Sequence, residues 1–424
     1  MIVNISKPIQ DNSMRMSMLL WAVLLLCGLG CKKQDHRPPN LNLEEPPPVL
    51  EFQWISRLDP EEKLGNLAQG VLYKDWFVYP GDDNTPMKLM AFDKVTGEKA
   101  WEQVYEEHSY KITYALLAGD LYIARHAKFL FGIDLDTRAI QWAFDFGAIN
   151  MRPGLMTLGS NGLVYLNALK GLHTDFHQEF LLEFDPLTGQ SRTVIRYDPD
   201  SLGAKAIGPP VLTDGPDGRQ VAIFNLAHFA YAPPQESPQE IRAIDLETGE
   251  TIWSSPVIDS FPSNLLHPPV VFEDLVITGG GWSMYAFNKY TGEPVWTYAF
   301  DYPWGVWTKT NHLVHQDRLY VNNSQFDVTC LDPRSGELIW NNSKGGPNSC
   351  ESMTYYEKED LLVFSSWGYG SVMVLDALTG RTIHREKALE GASFYKDVLY
   401  DEELDMFFTA SFKHAFGFTI QRPD

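Results

Sequence analysis

Two small groups of residues in this chain have side chains that metal or redox chemistry uses. His173, Asp175 and His177, in the segment GLHTDFHQEF, are evenly spaced, so one face of a strand could present all three to a metal ion. The segment is polar and lies in a stretch longer than its counterparts in the chain, so we interpret it as a solvated loop. Cys330 and Cys350 could form a disulfide or remain two buried thiols, and their spacing leaves both readings open.

The short motifs of common enzyme classes are missing from the sequence. No G-x-S-x-G segment offers a serine nucleophile, and no C-x-x-C-H segment offers a haem attachment site. The segment TGGGWS at 278–283 lacks the Lys and the following helix that a phosphate-binding loop requires. The sequence therefore predicts no catalytic residue, no metal ligand and no bound cofactor.

One motif recurs along most of the chain and indicates how it folds. AFDKVTGEKAW is followed by GIDLDTRAIQW, EFDPLTGQSRT, AIDLETGETIW, AFNKYTGEPVW, CLDPRSGELIW and VLDALTGRTIH. The seven copies place an Asp or Asn at the same point: Asp93, Asp134, Asp185, Asp245, Asn288, Asp332 and Asp376. Successive copies are 41 to 60 residues apart, and most intervals are close to the length of a four-stranded propeller blade.

Each residue type of the motif has a structural explanation. The apolar, alternating segment before the Asp is typical of a strand, and the Asp side chain can accept hydrogen bonds from amides two or three residues later. Gly reverses the chain, and a large Trp on the next strand can fill the space between neighbouring blades. We therefore predict packing roles for six residues: Trp54, Trp101, Trp142, Trp253, Trp296 and Trp340.

The two ends of the chain predict how the propeller closes. LEFQWISRL contains Trp54 with no hairpin before it, and the C-terminal segment ELDMFFTASFKHAFGFTIQ lacks a following Trp strand. Pairing the first strand with the last ones completes an eighth blade and leaves no open edge. The sequence thus predicts an all-β, eight-bladed propeller of four-stranded antiparallel blades across residues 50–424.

The recurring D-x-x-T-G-x-x-x-W pattern resembles the repeat of the PQQ-like (quinoprotein-type) β-propeller family, over about residues 50–421. The resemblance implies the propeller fold and, for a lipid-anchored chain without enzyme motifs, a role like that of an outer-membrane assembly factor. It also implies an alternative, a dehydrogenase dependent on PQQ and calcium. The enzymes of the family commonly place a vicinal cysteine pair over the quinone, and this sequence has no such pair.

The N-terminus predicts export and a lipid anchor. Lys7 and Arg15 precede an apolar run at 18–30, which is too short to span a bilayer and suits a signal peptide. Residues 1–30 resemble a lipoprotein signal, after which Cys31 would be lipidated; an ordinary secretory signal cut nearby is the alternative. Residues 31–49 are rich in Pro and charge, which predicts a flexible tether.

Composition and aromatic residues limit the partners. The formal net charge of −21 disfavours nucleic acid as a partner. The resemblance, together with the predicted anchor, implies a monomeric propeller within a larger complex of envelope proteins or peptide segments, anchored at the outer membrane. Trp304, Trp307, Trp367 and Tyr369 lie outside the Trp position of the repeat, near Gly and Pro. They could anchor a peptide, bind sugar in a carbohydrate-binding surface lipoprotein, or pack under loops.

Overall fold

The computed structural model confirms an all-β propeller of eight blades. The chain divides into Met1–Asn42 and Leu43–Asp424, and only the second unit contains residues that the structure describes. These are residues 48–58, 69–81, 86–107, 112–126, 128–171, 177–199, 204–229, 239–256, 268–280, 283–301, 312–322, 327–343, 352–366, 369–394 and 397–421. The predicted signal peptide, Cys31 and nearly all of the predicted tether lie outside them.

The first four blades follow one another along the chain. Blade 1 contains β2 (Val71–Tyr73), β3 (Trp76–Pro80), β4 (Met87–Asp93) and β5 (Lys99–Tyr105). Blade 2 contains β6 (Tyr114–Ala118), β7 (Leu121–Arg125), β8 (Phe129–Asp134) and β9 (Ile140–Asp145). Blade 3 contains β10 (Met151–Leu158), β11 (Val164–Lys170), β12 (Gln178–Phe184) and β13 (Ser191–Tyr197). Blade 4 contains β14 (Ala204–Ile207), β15 (Val211–Asp214), β16 (Gln220–Phe229), β17 (Gln239–Asp245) and β18 (Thr251–Ser254).

The remaining blades complete the ring. Blade 5 contains β19 (Val270–Phe272), β20 (Leu275–Gly279), β21 (Ser283–Asn288) and β22 (Pro294–Ala299). Blade 6 contains β23 (Leu313–His315), β24 (Arg318–Asn322), β25 (Val328–Leu331) and β26 (Leu338–Asn342). Blade 7 contains β27 (Thr354–Tyr356), β28 (Leu361–Ser366), β29 (Ser371–Asp376) and β30 (Thr382–Lys387). Blade 8 contains β31 (Leu399–Asp401), β32 (Met406–Ala410), β33 (His414–Gln421) and β1 (Val49–Arg57).

Blade 4 has five strand segments because its first strand is interrupted. The segments β14 and β15 both pair with β16, and the residues between them are Gly208, Pro209 and Pro210. Proline has no backbone N–H to donate to the ladder, so the strand breaks at this point. The blade keeps the four-stranded plan of the others.

Little helix is present in the part of the chain that the structure describes. Two short 3-10 helices occupy Gly147–Ile149 and Leu389–Gly391. Within that part, no helix has the length and apolar character needed to span a membrane.

The order of strands gives the propeller an axis and two different faces. First strands of successive blades contact each other, as β6 contacts β10 and β19 contacts β23, so they surround the central axis. Because each blade is an antiparallel meander, the turns from strand 1 to 2 and from 3 to 4 lie on one face, which we call the hairpin face. The connections from strand 2 to 3 and from blade to blade lie on the other, which we call the loop face.

The first strand of the described chain closes the ring. Strand β1 pairs antiparallel with β33, from Val49 opposite Gln421 to Arg57 opposite His414. Across the seam between blades 8 and 1, the indole Nε1 of Trp54 donates to the Lys94 carbonyl oxygen at 2.8 Å. The Lys94 ammonium forms an ion pair of 2.6 Å with Asp401 of blade 8. Closure therefore uses a strand ladder, an aromatic side chain and a nearly buried ion pair.

Each hairpin between strands 3 and 4 is organised by the turn residue of the repeat. Asp93 Oδ1 accepts hydrogen bonds from the backbone N–H groups of Val95 at 2.9 Å and Thr96 at 2.8 Å. The Thr96 backbone N–H is the main cause that lowers the pKa of Asp93. Asn288 accepts the same pair of bonds without a charge, at 2.9 and 3.1 Å. The turn needs an acceptor oxygen at this point, and ionisation is optional.

The repeat Trp of one blade packs on the hairpin of the next. Trp142 Nε1 donates to the Pro186 carbonyl oxygen at 2.7 Å, and a Cβ atom built on Gly189 would lie 2.5 Å from Trp142 Cδ2. Gly189 has φ of 68°, so both its backbone conformation and the indole ring require glycine. The same contact joins Trp54 to Gly97, Trp253 to Gly292, Trp296 to Gly336 and Trp340 to Gly380. The Thr-Gly pair and the Trp of the repeat are thus two sides of one contact.

One Trp of the six makes a different contact. The hairpin facing Trp101 has Arg138, with φ of 61°, where the other hairpins have Gly. The guanidinium carbon of Arg138 lies 5.1 Å from the centre of the Trp101 ring. The Trp101 indole nitrogen is buried and has no hydrogen-bond partner among the residues described here. A side chain in place of Gly therefore replaces the indole hydrogen bond with a cation–π contact.

Candidate functional site

The contact between blades 3 and 4 lacks the Trp that fills the contacts above. Arg192 on β13 donates from Nη2 to the Leu246 carbonyl oxygen at 3.0 Å. Leu246 directly follows the turn residue Asp245, so this carbonyl corresponds to the one that Trp indoles bind elsewhere. The backbone carbonyl of Val194, not an aromatic ring, covers Gly249. An arginine and a stretch of backbone therefore replace the indole at this junction.

A groove of about 310 Å³ opens on the hairpin face at this junction. Blade 3 contributes residues from its first turn and its outer hairpin, and blade 4 contributes residues from two turns. The side chains that give it its chemistry are Asn161, Glu183, Arg192, Arg219, Asp245 and Glu247. Because no indole ring fills the junction of blades 3 and 4, a polar groove remains there.

The blade 3 wall of the groove is held by a charged hydrogen-bond network. Arg192 binds Glu183 with both Nε, at 2.6 Å, and Nη2, at 2.8 Å. Tyr165 donates its hydroxyl to Glu183 at 2.7 Å, and Asn161 donates to the Tyr165 hydroxyl at 2.9 Å. The hydrogen bonds to Glu183 raise the pKa of Arg192, so it stays charged. These contacts fix the guanidinium, while nearly half of the Arg192 side chain stays exposed.

The blade 4 wall carries a second arginine. Arg219 donates to Asp217 and, from Nη1, to Asp245 at 3.2 Å. The pKa of Asp245 is lowered, chiefly by the Thr248 backbone N–H, so Asp245 is ionised at neutral pH. Glu247 is exposed beside it. The groove therefore presents two half-exposed guanidinium groups and at least two carboxylates.

This set of side chains is suited to binding. The residues that line the groove carry no hydroxyl or thiol, and the Tyr165 hydroxyl that binds Glu183 behind them is fully buried, so the groove exposes no activated nucleophile. Fixed arginines and carboxylates can accept complementary charged side chains or the backbone of an extended segment. We did not single out Arg192, Glu183 or Arg219 from the sequence. The sequence feature that could have indicated this site is EFDPLTGQSRT, the hairpin sequence that ends in neither Trp nor His.

The aromatic residues predicted to bind a partner are mostly outside the structural description. Trp304, Trp307 and Trp367 lie outside the described residues. Tyr369 is described, and the guanidinium carbon of Arg385 is 4.0 Å from the centre of its ring. The Tyr369 ring is partly buried against the core between blades 6 and 7. Much of its surface is used for packing.

The described half of the cysteine pair is a thiol. Cys330 is free and fully buried on β25, and Arg318 Nη1 approaches its Sγ at 4.0 Å. Burial raises the pKa of Cys330 to about 12, so the thiolate is suppressed at neutral pH. Cys350 lies outside the described residues, as do His173 and Asp175.

A calcium ion needs several oxygen ligands at one point. Among the described residues, no three His, Cys, Asp or Glu side chains come close enough to share a metal ion. The buried carboxyl of Glu179 has Asn167 as its side-chain hydrogen-bond partner, at 3.2 Å. Burial raises the pKa of Glu179 to about 8, and its Oε2 atom has no hydrogen-bond partner among the described residues.

Comparison with known proteins agrees with the propeller. A family model described as "Outer membrane protein assembly factor BamB" matches residues 235–404, which run from the end of blade 4 into blade 8. A search of curated protein sequences gave no match.

Three solved structures show the same fold at low sequence identity. BamB from Moraxella catarrhalis is 14% identical, with 88% of this chain and 100% of that chain covered and a TM-score of 0.56. The computationally designed Ika8 protein is 13% identical, with 87% and 100% covered and a TM-score of 0.59. The quinohemoprotein alcohol dehydrogenase ADHIIG from Pseudomonas putida HK5 is 10% identical, with 88% and 78% covered and a TM-score of 0.60.

Proposed function

We propose, on the premise that this chain is a PQQ-like β-propeller, that it is a lipid-anchored, non-catalytic scaffold of the bacterial cell envelope that binds other proteins. The observation that carries the proposal is the match of residues 235–404 to a family described by protein assembly and not by a reaction. By analogy with that description, its partners are envelope proteins that take part in outer-membrane protein assembly.

Two features of the chain support this role. The repeated Asp and Trp side chains are occupied in turns and in contacts between blades, and the repeated Gly lies under the Trp ring, so the repeat leaves no set of reactive groups. The groove between blades 3 and 4 supplies fixed charges on an otherwise regular surface, and we propose it as the docking site. An extended partner segment that carries both acidic and basic side chains would match its two arginines and its carboxylates.

Charge reversal in the groove tests the docking site. Glu247→Lys changes an exposed groove residue, and Glu293→Lys makes the same change at an exposed hairpin residue of blade 5, outside the groove. Each tagged, full-length variant would be purified from detergent-solubilised envelopes, and co-purifying proteins would be quantified by mass spectrometry. We expect Glu247→Lys to lose partners that Glu293→Lys keeps. Recovery of no protein above background with the wild-type chain would refute the scaffold.

The same preparation discriminates the alternative functions. A PQQ-dependent dehydrogenase would show quinone absorbance and dye-linked oxidation of alcohols or sugars, and a carbohydrate-binding lipoprotein would bind on a glycan array. We expect neither result. A positive result in either assay, without co-purifying protein, would replace the scaffold proposal.

A further inference from the structure

Arg125 occupies an unusual position near the axis on the loop face. It ends β7, and its partly buried side chain reaches from blade 2 to blade 3. Its Nε donates to Thr113 Oγ1 at 3.0 Å, and its Nη1 donates to the carbonyl oxygen of Gly154 on β10. These two bonds hold the guanidinium in one orientation and leave Nη2 without an acceptor among the residues that the structure describes.

The charge of Arg125 has no counter-ion in the described part of the chain. Arg192, Arg242 and Arg334 each form ion pairs with Asp or Glu. Arg125 forms none there, although the sequence contains 55 acidic residues. Burial lowers the pKa of Arg125, which agrees with a guanidinium that is partly desolvated without a neighbouring carboxylate. A desolvated, uncompensated charge is unfavourable unless something pairs with it.

A second hydrogen-bond donor lies beside this guanidinium. Tyr114 is directly opposite Arg125 in the β6–β7 ladder, so both side chains project from the same face. The Tyr114 hydroxyl has no hydrogen-bond partner in the described ranges of the chain. Burial, followed by the charge of Asp397, raises the pKa of Tyr114 to about 12, so the hydroxyl keeps its proton. Two adjacent donors therefore lack acceptors.

We propose that Arg125 and Tyr114 form a binding site for a carboxylate group, with Arg125 Nη2 and the Tyr114 hydroxyl as its two donors. A carboxylate has two acceptor oxygens and one negative charge, which match two donors and one guanidinium. It would compensate the charge that the described residues leave unpaired.

The neighbouring acidic group sets the charge of the ligand. Asp397 acts on Tyr114 electrostatically, and it accepts a hydrogen bond from the Ser352 backbone N–H at 2.7 Å. A second negative charge on the ligand would be repelled by Asp397, so the site favours a singly charged carboxylate over phosphate. Both a free small carboxylate and the C-terminus of a peptide offer this chemistry.

Thermal unfolding of the full-length chain tests the site. Sodium acetate and N-acetylglycine would be compared with sodium phosphate and with sodium chloride at equal ionic strength. A ligand that binds only the folded state raises the melting temperature as its concentration rises. We expect this rise with at least one of the two carboxylates. A stronger response to N-acetylglycine than to acetate would identify a peptide terminus as the source, and an equal or stronger response to acetate would identify a free small carboxylate.

Two variants and a control attribute the effect to these residues. Arg125→Gln removes the charge, and Tyr114→Phe removes only the hydroxyl and keeps the ring; we expect each to weaken carboxylate binding at least about tenfold. Arg196→Gln, at an exposed arginine paired with Asp198, should bind as the wild-type chain does. The proposal fails if carboxylates act no more strongly than chloride, if phosphate acts more strongly, or if Tyr114→Phe and Arg125→Gln respond like the wild type. None of these results depends on a protein partner.

Discussion

Gly336 of blade 6 lies beneath the indole ring of Trp296 in blade 5, so that a Cβ atom added to it would be 2.6 Å from Trp296 Cε3. Trp296 also donates its indole N–H to the carbonyl oxygen of Pro333, in the same hairpin, at 2.9 Å. One side chain thus holds a neighbouring turn by both packing and a hydrogen bond. The contact recurs at four other junctions between neighbouring blades.

Replacing this glycine should cost more than its backbone conformation alone. Gly336→Ala adds a methyl group under the ring at φ of 71°, whereas Gly218→Ala adds one at φ of 79° where nothing lies within 4 Å. We expect both to lose about 1 kcal/mol from the left-handed backbone. Gly336→Ala should lose about 2 kcal/mol more because the indole must move. Urea unfolding measures both, and equal losses would contradict the contact.

The ion pair at the closing seam should contribute more than an exposed pair. Lys94→Met leaves Asp401 nearly buried without its cation, which should cost about 3 kcal/mol of unfolding free energy. Lys74→Met breaks a pair with Asp136 in which both side chains are about half exposed, and should cost much less. The double variant Lys94→Met, Asp401→Leu should recover much of the loss, since no charge is left unpaired. Urea midpoints that are the same for the two single variants would exclude a special role for the seam.

Glu179 should make stability fall as the pH rises. Burial raises the pKa of Glu179 to about 8, against smaller opposing effects of hydrogen bonds from Asn167 and Ile207. The folded state therefore holds a proton that the unfolded state releases at a lower pH. Its stabilising effect is complete below the unfolded pKa and is lost between about pH 4.5 and pH 8, at up to about 1.4 kcal/mol per pH unit.

Glu179→Gln keeps the shape and removes the titration, so the variant should gain stability relative to the wild type over that range. Asp93→Asn is the comparison with opposite sign, because hydrogen bonds from Thr96 lower the pKa of Asp93. The contribution of Asp93 to stability is present above the ordinary pKa of Asp and is lost only as the pH falls through the lowered pKa. Between pH 5 and pH 8, the slope of the unfolding free energy against pH, measured by chemical unfolding, should therefore change with Glu179→Gln and not with Asp93→Asn. If the unfolding free energies of Glu179→Gln and the wild type change with pH in parallel, Glu179 does not have the raised pKa assigned to it.

Cys330 should react with alkylating reagents only after unfolding. Its thiol is fully buried and its pKa is raised to about 12 by burial, so little thiolate is accessible. We expect the peptide containing Cys330 to be unmodified by iodoacetamide in buffer and fully modified in urea, without any reducing agent. A requirement for reduction before modification in urea would instead indicate that Cys330 is in a disulfide.

The sequence predicts the fold well because one local unit repeats. The turn residues, the glycine and the Trp are close together in each copy, and the unpaired strand containing Trp54 indicates closure. The groove was missed because its residues come from separate turns of two blades: Arg192 and Leu246 meet only when blades 3 and 4 stack. Arg125 was missed for a similar reason, since the missing counter-ion of a side chain is visible only in three dimensions.

The turns of the propeller should differ in how well they tolerate insertions. On the hairpin face, the turns from strand 3 to strand 4 mostly support an indole from the preceding blade, so a longer turn there would dislodge a neighbour as well. The turns from strand 1 to strand 2 at Gly119 and Gly162 support no neighbour in this way, because a Cβ atom added there would meet nothing within 4 Å. Peptide tags or grafted segments should therefore be accepted in the turns at Gly119 and Gly162 and rejected at the turns that support an indole, which makes the first open to redesign and the second a fixed frame.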